Sequence, residues 1–159
     1  MSTISHKPLL IACGLIGMPC CSADLQASGT MTTPPTPAYS QECGSCHLAY
    51  PARWLSAASW QAVLDGLSRH FGSDASLDEQ SLTEISRYLE SHAGHRQTVA
   101  ADGQPLLRIT ETRWFRHEHD EVPPSTWKLP AVKSPANCAA CHTGAEQNRY
   151  SEHDRRLPQ

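Results

Sequence analysis

Cys43-Gly44-Ser45-Cys46-His47 and Cys138-Ala139-Ala140-Cys141-His142 carry one pattern, Cys-x-x-Cys-His, at two places in a chain of 159 residues. Two cysteines three apart reach the two vinyl groups of one porphyrin and form thioethers. The histidine that follows comes under the iron as its proximal ligand. The pattern points to two covalently attached haem c groups, with Cys43, Cys46, Cys138 and Cys141 as attachment points and His47 and His142 as proximal ligands. A four-cysteine zinc site accounts for the pairs less well. It does not need a histidine in the same place after each pair, and its pairs stand far closer than the 91 residues between Cys46 and Cys138. A disulfide framework is the other reading open to an exported chain, in which four cysteines remain.

Haem attachment of this kind takes place outside the cytoplasm, so the motif predicts an export signal, and the N-terminus has the composition of one. Lys7 supplies a short positive region, Leu9 to Met18 is apolar, and Cys21-Ser22-Ala23 places small residues before a cut at Asp24. A signal peptide over 1–23 removes Cys13, Cys20 and Cys21 and leaves every other cysteine in a haem motif. A lipoprotein is the rival, because Leu10-Ile11-Ala12-Cys13 resembles a lipidation box, although the apolar run before Cys13 is short for a signal core. The expected destination is the periplasm. Cleavage takes away one of the 13 Lys and Arg and none of the 16 acids, leaving a formal charge of −4. That charge, with no basic run, argues against nucleic acid as a partner. No second apolar segment is long enough to cross a bilayer, so a soluble product is expected, and a monomer.

The 136 residues from Asp24 onward suit one domain. At 39% hydrophobic with two Phe, the chain is lean for an ordinary core, and two porphyrins would supply the missing apolar surface. Trp54, Trp60, Trp114 and Trp127 are candidates to pack against them, or plain core and surface aromatics. The Pro- and Thr-rich residues 24–38 read as a tether, and 39–159 as the haem-bearing domain, divided into a first part at 39–97 and a second at 98–159. The predicted fold is mainly α with much irregular structure, helical around the first haem and loop-rich around the second. A helix is expected over Ser56 to Phe71, with Trp60, Val63, Leu64 and Leu67 on one face and Gly72 as its stop. Ser76-Leu77-Asp78-Glu79 reads as a capping box opening a second helix to about His92. Residues 95–107 read as a loop, Thr110 to His119 as a short helix, and 122–137, with four prolines, as extended and irregular. A further short helix is expected at the second motif.

Methionine is the usual sixth ligand of high-potential cytochromes c, but after the signal only Met31 remains, in the expected tether. Histidine or an open position is left. His70 lies three residues beyond Leu67 and so continues the Trp60–Val63–Leu67 stripe, while His92 shares a face with Leu82, Ile85 and Leu89. Both are candidates for the first iron. For the second, His117 and His119 each sit beside an aromatic at helical spacing, Trp114 and Phe115, and one helix face cannot present both. His95 and His153 stand in polar, charged surroundings and read as solvated.

Several stretches in order, Ser59-Trp60 to Phe71-Gly72, Asp74-Ala75-Ser76-Leu77-Asp78, Arg108-Ile109-Thr110-Glu111-Thr112 with Trp114-Phe115, Lys133-Ser134-Pro135-Ala136-Asn137-Cys138 and Ala145-Glu146-Gln147, resemble the small bacterial dihaem cytochromes c, the DHC family. The likeness runs from about residue 40 to the C-terminus and is weakest after Arg149. It implies export, two low-potential haems with histidine on both sides of each iron, and electron passage from a membrane cytochrome b to a soluble haem protein or terminal reductase. It also implies His70 and His119 as the distal ligands.

The leading functional expectation is therefore a soluble electron carrier rather than an enzyme. Neutral imidazoles on both sides stabilise ferric iron more than a thioether does, so low potentials are expected. An acidic surface would steer docking to a basic partner face. A small dihaem peroxidase or reductase with one open iron is the alternative, and would need a spare acid–base group such as His117, His92 or His153. A subunit that only holds or inserts haem for a larger reductase is a third.

Overall fold

The structure is a computed structural model and describes residues 35–158. The expected signal peptide, its cleavage point and the lipidation-box alternative lie outside the described residues, as does most of the expected tether. Among the described residues there are four α-helices joined by 3₁₀ turns and irregular chain, and no strands beyond isolated bridges. This is the mainly α, irregular fold expected. No helix among them is long and apolar enough to cross a membrane.

Helix α1 (Pro37–Gly44) starts inside the stretch read as tether. Thr36 caps it, its Oγ1 accepting from Tyr39 N at 3.3 Å, and Pro37 sits in the first turn, where a missing N–H costs nothing. The last prolines of a Pro-rich run thus open a helix. That helix buries Tyr39 against Tyr88, ring centres 5.0 Å apart, and carries Cys43 in its last turn.

Helix α2 (Ala57–Asp65), capped by Ser56, is shorter than expected. It stops at Gly66, not Gly72, because glycine gives up about 1 kcal/mol of helix propensity and the chain turns at once into a 3₁₀ turn, Leu67–Arg69. Phe71 (φ 50°) and Gly72 (φ 101°) then take left-handed conformations, and Ala75 N returns to Leu67 O at 2.9 Å. His70 therefore lies on a tight loop, not on a helical stripe.

Helix α3 (Glu79–His92) buries Ile85, Tyr88 and Leu89. Its cap is Asp78 rather than Ser76. The Asp78 carboxylate accepts from Gln80 N and Ser81 N, both at 2.9 Å, and as a charged acceptor it outcompetes a hydroxyl. Ser76 is held instead by Asp74. Past the helix, Gly94 N donates to Leu55 O at 2.8 Å, and a Cβ on Gly94 would stand 2.4 Å from Arg53 O. Only glycine allows that approach.

Helix α4 (Arg113–Glu118), capped by Thr112, is preceded by a 3₁₀ turn at Ile109–Glu111, so the expected ten-residue helix divides in two. The second motif forms a 3₁₀ turn, Cys138–Ala140, in place of the expected helix. The proline-bearing 122–137 segment is irregular as expected, with Val132 fully buried as its anchor. Hydroxyls of Ser56, Ser59 and Thr98 interlock at 2.7–3.2 Å, and Tyr50 Oη donates to Ala136 O at 2.8 Å, tying the segment after the first motif to the chain at 98 and 136.

Candidate haem sites

The first site is built where α1 ends. Cys43 sits in the last helical turn and Cys46 and His47 follow it, so both sulfurs and the imidazole face one cavity of about 540 Å³. Its walls are largely apolar, with Leu55, Trp60, Leu64, Leu67 and Leu89 among them, and Cys138 of the second motif completes one side. His47 Nδ1–H donates to Leu48 O at 2.8 Å, which leaves the Nε2 lone pair free. Its ring stacks on Tyr50 (5.0 Å, 22°) and faces His70, with centres 6.1 Å apart and planes 23° apart. Burial, then His47, then Arg108 push the His70 imidazole below its ordinary pKa and keep it neutral. Arg108 also stacks on the exposed ring of Phe71, its guanidinium carbon 3.9 Å from the ring centre.

The second site joins α4 to the second motif. His119, at the end of α4, lies 6.1 Å from His142 between ring centres, with planes 79° apart. His119 Nδ1–H donates to Phe115 O at 2.9 Å, the capping bond open to a histidine in a last helical turn, and the ring stacks on Phe115 (4.1 Å, 17°). His142 packs edge-on against Tyr150 at 5.5 Å, and its Nδ1 is buried without a partner. Burial, then His119, then Arg155 lower its pKa.

The spacing of these pairs tests what they could hold. An imidazole centre lies about 1.2 Å behind its ligating nitrogen and metal–imidazole bonds are about 2.0–2.1 Å, so two rings on opposite sides of one iron have centres about 6.4–6.6 Å apart. Both pairs stand at 6.1 Å, within about half an ångström of that spacing. The residues present fit a haem at each motif. The other readings fit poorly. Among the described residues no three Cys, His, Asp or Glu side chains converge as a zinc site would require, and all four cysteines there are free thiols rather than disulfides. Burial pushes the Cys43 and Cys138 thiols up to about 11, the opposite of a reactive dithiol.

The remaining histidines are not placed opposite a motif. His92 Nδ1–H donates to Tyr88 O at 2.9 Å and its ring stacks on Tyr88. His117 has 80% of its side chain exposed, and His95 and His153 are exposed. Of the tryptophans, Trp60 is buried in the first cavity, with Nε1–H donating to Ala52 O at 2.7 Å, and Trp127 lies 6.0 Å from His119. Trp54 packs edge-on against Tyr150, whereas Trp114 is partly exposed. Sequence periodicity missed Tyr50 and Tyr150 as neighbours of the histidines, since both lie on irregular chain, whereas helical spacing did place Phe115 beside His119.

Comparison with known proteins bears on the same residues. The family model for dihaem cytochrome c matches residues 39–150, which takes in both motifs. The chain belongs to the dihaem cytochrome c family. Among solved structures, this dihaem cytochrome c is similar to the diheme cytochrome type c of Shewanella baltica OS155, at 40% identity and a TM-score of 0.67 over 79% of this chain and 94% of that one. It is similar also to the DHC purified from Rhodobacter sphaeroides, at 45% identity and a TM-score of 0.64 over 74% of this chain and 98% of that one. No curated protein matches it. As a dihaem cytochrome c the chain carries two covalently bound haem c groups and is an electron-transfer haem protein.

Proposed function

We propose that the chain is a soluble periplasmic electron carrier with two closed, low-potential irons, taking electrons from a membrane cytochrome b and passing them to a soluble haem protein or terminal reductase. Cys43 and Cys46, with His47 and His70, serve the first haem. Cys138 and Cys141, with His142 and His119, serve the second. The two imidazole pairs at 6.1 Å, one at each motif, carry this reading.

When bound, each haem supplies a one-electron Fe(III)/Fe(II) couple. The chain's own residues set the surroundings of that couple. His47 and His119 are each held in one tautomer by a carbonyl, which would leave Nε2 available to an iron. Burial keeps His70 and His142 neutral, which is the ligating form. An imidazole on each side of the iron would leave no position for substrate. The histidines that a peroxidase would use as acid–base groups, His117 and His153, are exposed away from the pairs, and His92 is engaged with Tyr88. Spectroscopy of the intact chain tests the proposal. Ferric and ferrous bands of low-spin iron, with no prompt binding of carbon monoxide or cyanide, are expected. A high-spin ferric band or rapid carbon monoxide binding would overturn the closed carrier in favour of a small peroxidase or reductase.

A further inference from the structure

The two imidazole pairs share a spacing but differ in orientation, and the difference has a local cause. At the first site the His47 and His70 planes are 23° apart, near parallel. At the second the His119 and His142 planes are 79° apart, near perpendicular. Phe115 acts on the His119 ring twice: its aromatic face stacks at 4.1 Å and 17°, and its carbonyl takes the Nδ1–H at 2.9 Å. The stack sets the ring plane and the hydrogen bond sets its rotation, so together they leave the imidazole no free torsion. Phe115 is itself fixed. It is 8% exposed, and its backbone N–H is held by Thr112 Oγ1 at 3.1 Å, with Thr112 buried.

Resting on the ligand assignment proposed above, we infer that Phe115 is a positioning residue that holds His119 across His142 and so makes the second iron electronically unlike the first. The filled π orbital of a ligating imidazole lies perpendicular to its ring and acts on the iron d orbital pointing the same way. Parallel rings act on one d orbital and split it from its partner. Crossed rings act on one each and leave the two nearly equal. In the ferric low-spin state the first arrangement gives a rhombic paramagnetic signal and the second a strongly anisotropic one. Orientation of a ligand by its outer neighbours is a general means of tuning a metal site, and here the neighbour is an aromatic face together with a carbonyl on one residue.

Low-temperature electron paramagnetic resonance of the ferric full-length holoprotein tests the inference. The wild type should show one rhombic and one strongly anisotropic low-spin signal. Phe115→Leu, which keeps the carbonyl and removes the stacking face, should shift the anisotropic signal toward the rhombic one or spread it, with the other signal unmoved. Phe115→Tyr, which keeps the ring, should retain it. Where the leucine variant fails to accumulate, Phe115→Met makes the same comparison, and the wild-type spectrum tests the crossed geometry without any variant. Two rhombic signals in the wild type, or an unchanged anisotropic signal without the Phe115 ring, would overturn the inference. The ligand assignment fails separately: His119→Ala should turn one iron high-spin, and two low-spin irons in that variant would remove His119 as a ligand whatever the Phe115 variants show.

Discussion

Replacing His70 by alanine removes one of the four imidazoles in the two pairs, and the structure sets the size of the effect. His47 and His70 stand 6.1 Å apart between ring centres, a gap that would take one iron with a metal–nitrogen bond of about 2.0–2.1 Å to each ring edge. An alanine methyl stops at Cβ and has no lone pair, so it cannot close the first iron. Among the described residues no other imidazole packs against His47. His92 is turned to Tyr88, with its Nδ1–H on the Tyr88 carbonyl. The second pair is untouched, because His119 and His142 come from α4 and the second motif. One of two irons, half of the haem in each chain, should become high-spin. The dithionite-reduced variant should bind one equivalent of carbon monoxide per chain, where the wild type binds none promptly. The loop should also loosen. Phe71, next to His70, holds a left-handed φ of 50°, which costs a residue with a side chain about 1–3 kcal/mol and persists only where the surroundings impose it. Without the imidazole anchor that strain is released more readily, so carbon monoxide entry should be fast. The assay is a haem count by pyridine haemochromogen, followed by carbon monoxide titration in the Soret band. A fully low-spin spectrum with no carbon monoxide uptake would refute the assignment of His70, and two equivalents per chain would refute the independence of the two pairs.

Three further outcomes are expected. Gly94→Ala places a methyl 2.4 Å from Arg53 O and forces the Gly94–Leu55 hydrogen bond open, a cost of about 2–4 kcal/mol and a Tm lower by roughly 8–16 °C; thermal melts of the holoprotein measure it, and a fall under about 3 °C would show that this contact yields freely. His70 and His142 have pKa values lowered below 6.5 in the fold, chiefly by burial, so they resist a proton that the unfolded chain accepts. Their contribution to stability is complete above pH 6.5 and is lost as pH falls through the lowered values; a spectral and denaturation titration should show a plateau above that pH and a decline below it, and loss on raising the pH would reverse the sign. The net negative charge predicts that electron exchange with a basic partner slows as salt rises, and a stopped-flow rate indifferent to ionic strength would remove steering from the account.

The covalent part of each site could be read directly from the chain. Two cysteines and a histidine within five residues must share one small turn, so their chemistry hardly depends on what the rest of the protein does. The shortage of methionine, the α3 helix with its buried Ile85 and Leu89, and the irregular, proline-bearing approach to the second motif were legible for the same reason: each follows from neighbours in sequence. Helix ends were less so. The Asp78 carboxylate displaced the Ser76 cap by strength of acceptance, and Gly66 ended α2 before the expected stop.

The distal side depends on the tertiary structure, because it brings together residues far apart in the chain. Periodicity put His70 on a helical stripe, yet it meets His47 from a tight loop formed by the end of α2 and the left-handed pair Phe71–Gly72. His117 and His119 are close to indistinguishable in sequence. They differ in the fold because the turn that ends α4 points one ring to solvent and gives the other a carbonyl and an aromatic face. The chain alone determines where the two Cys-x-x-Cys-His motifs stand. Which imidazole stands opposite, and at what angle, is decided by packing between segments that no local pattern encodes.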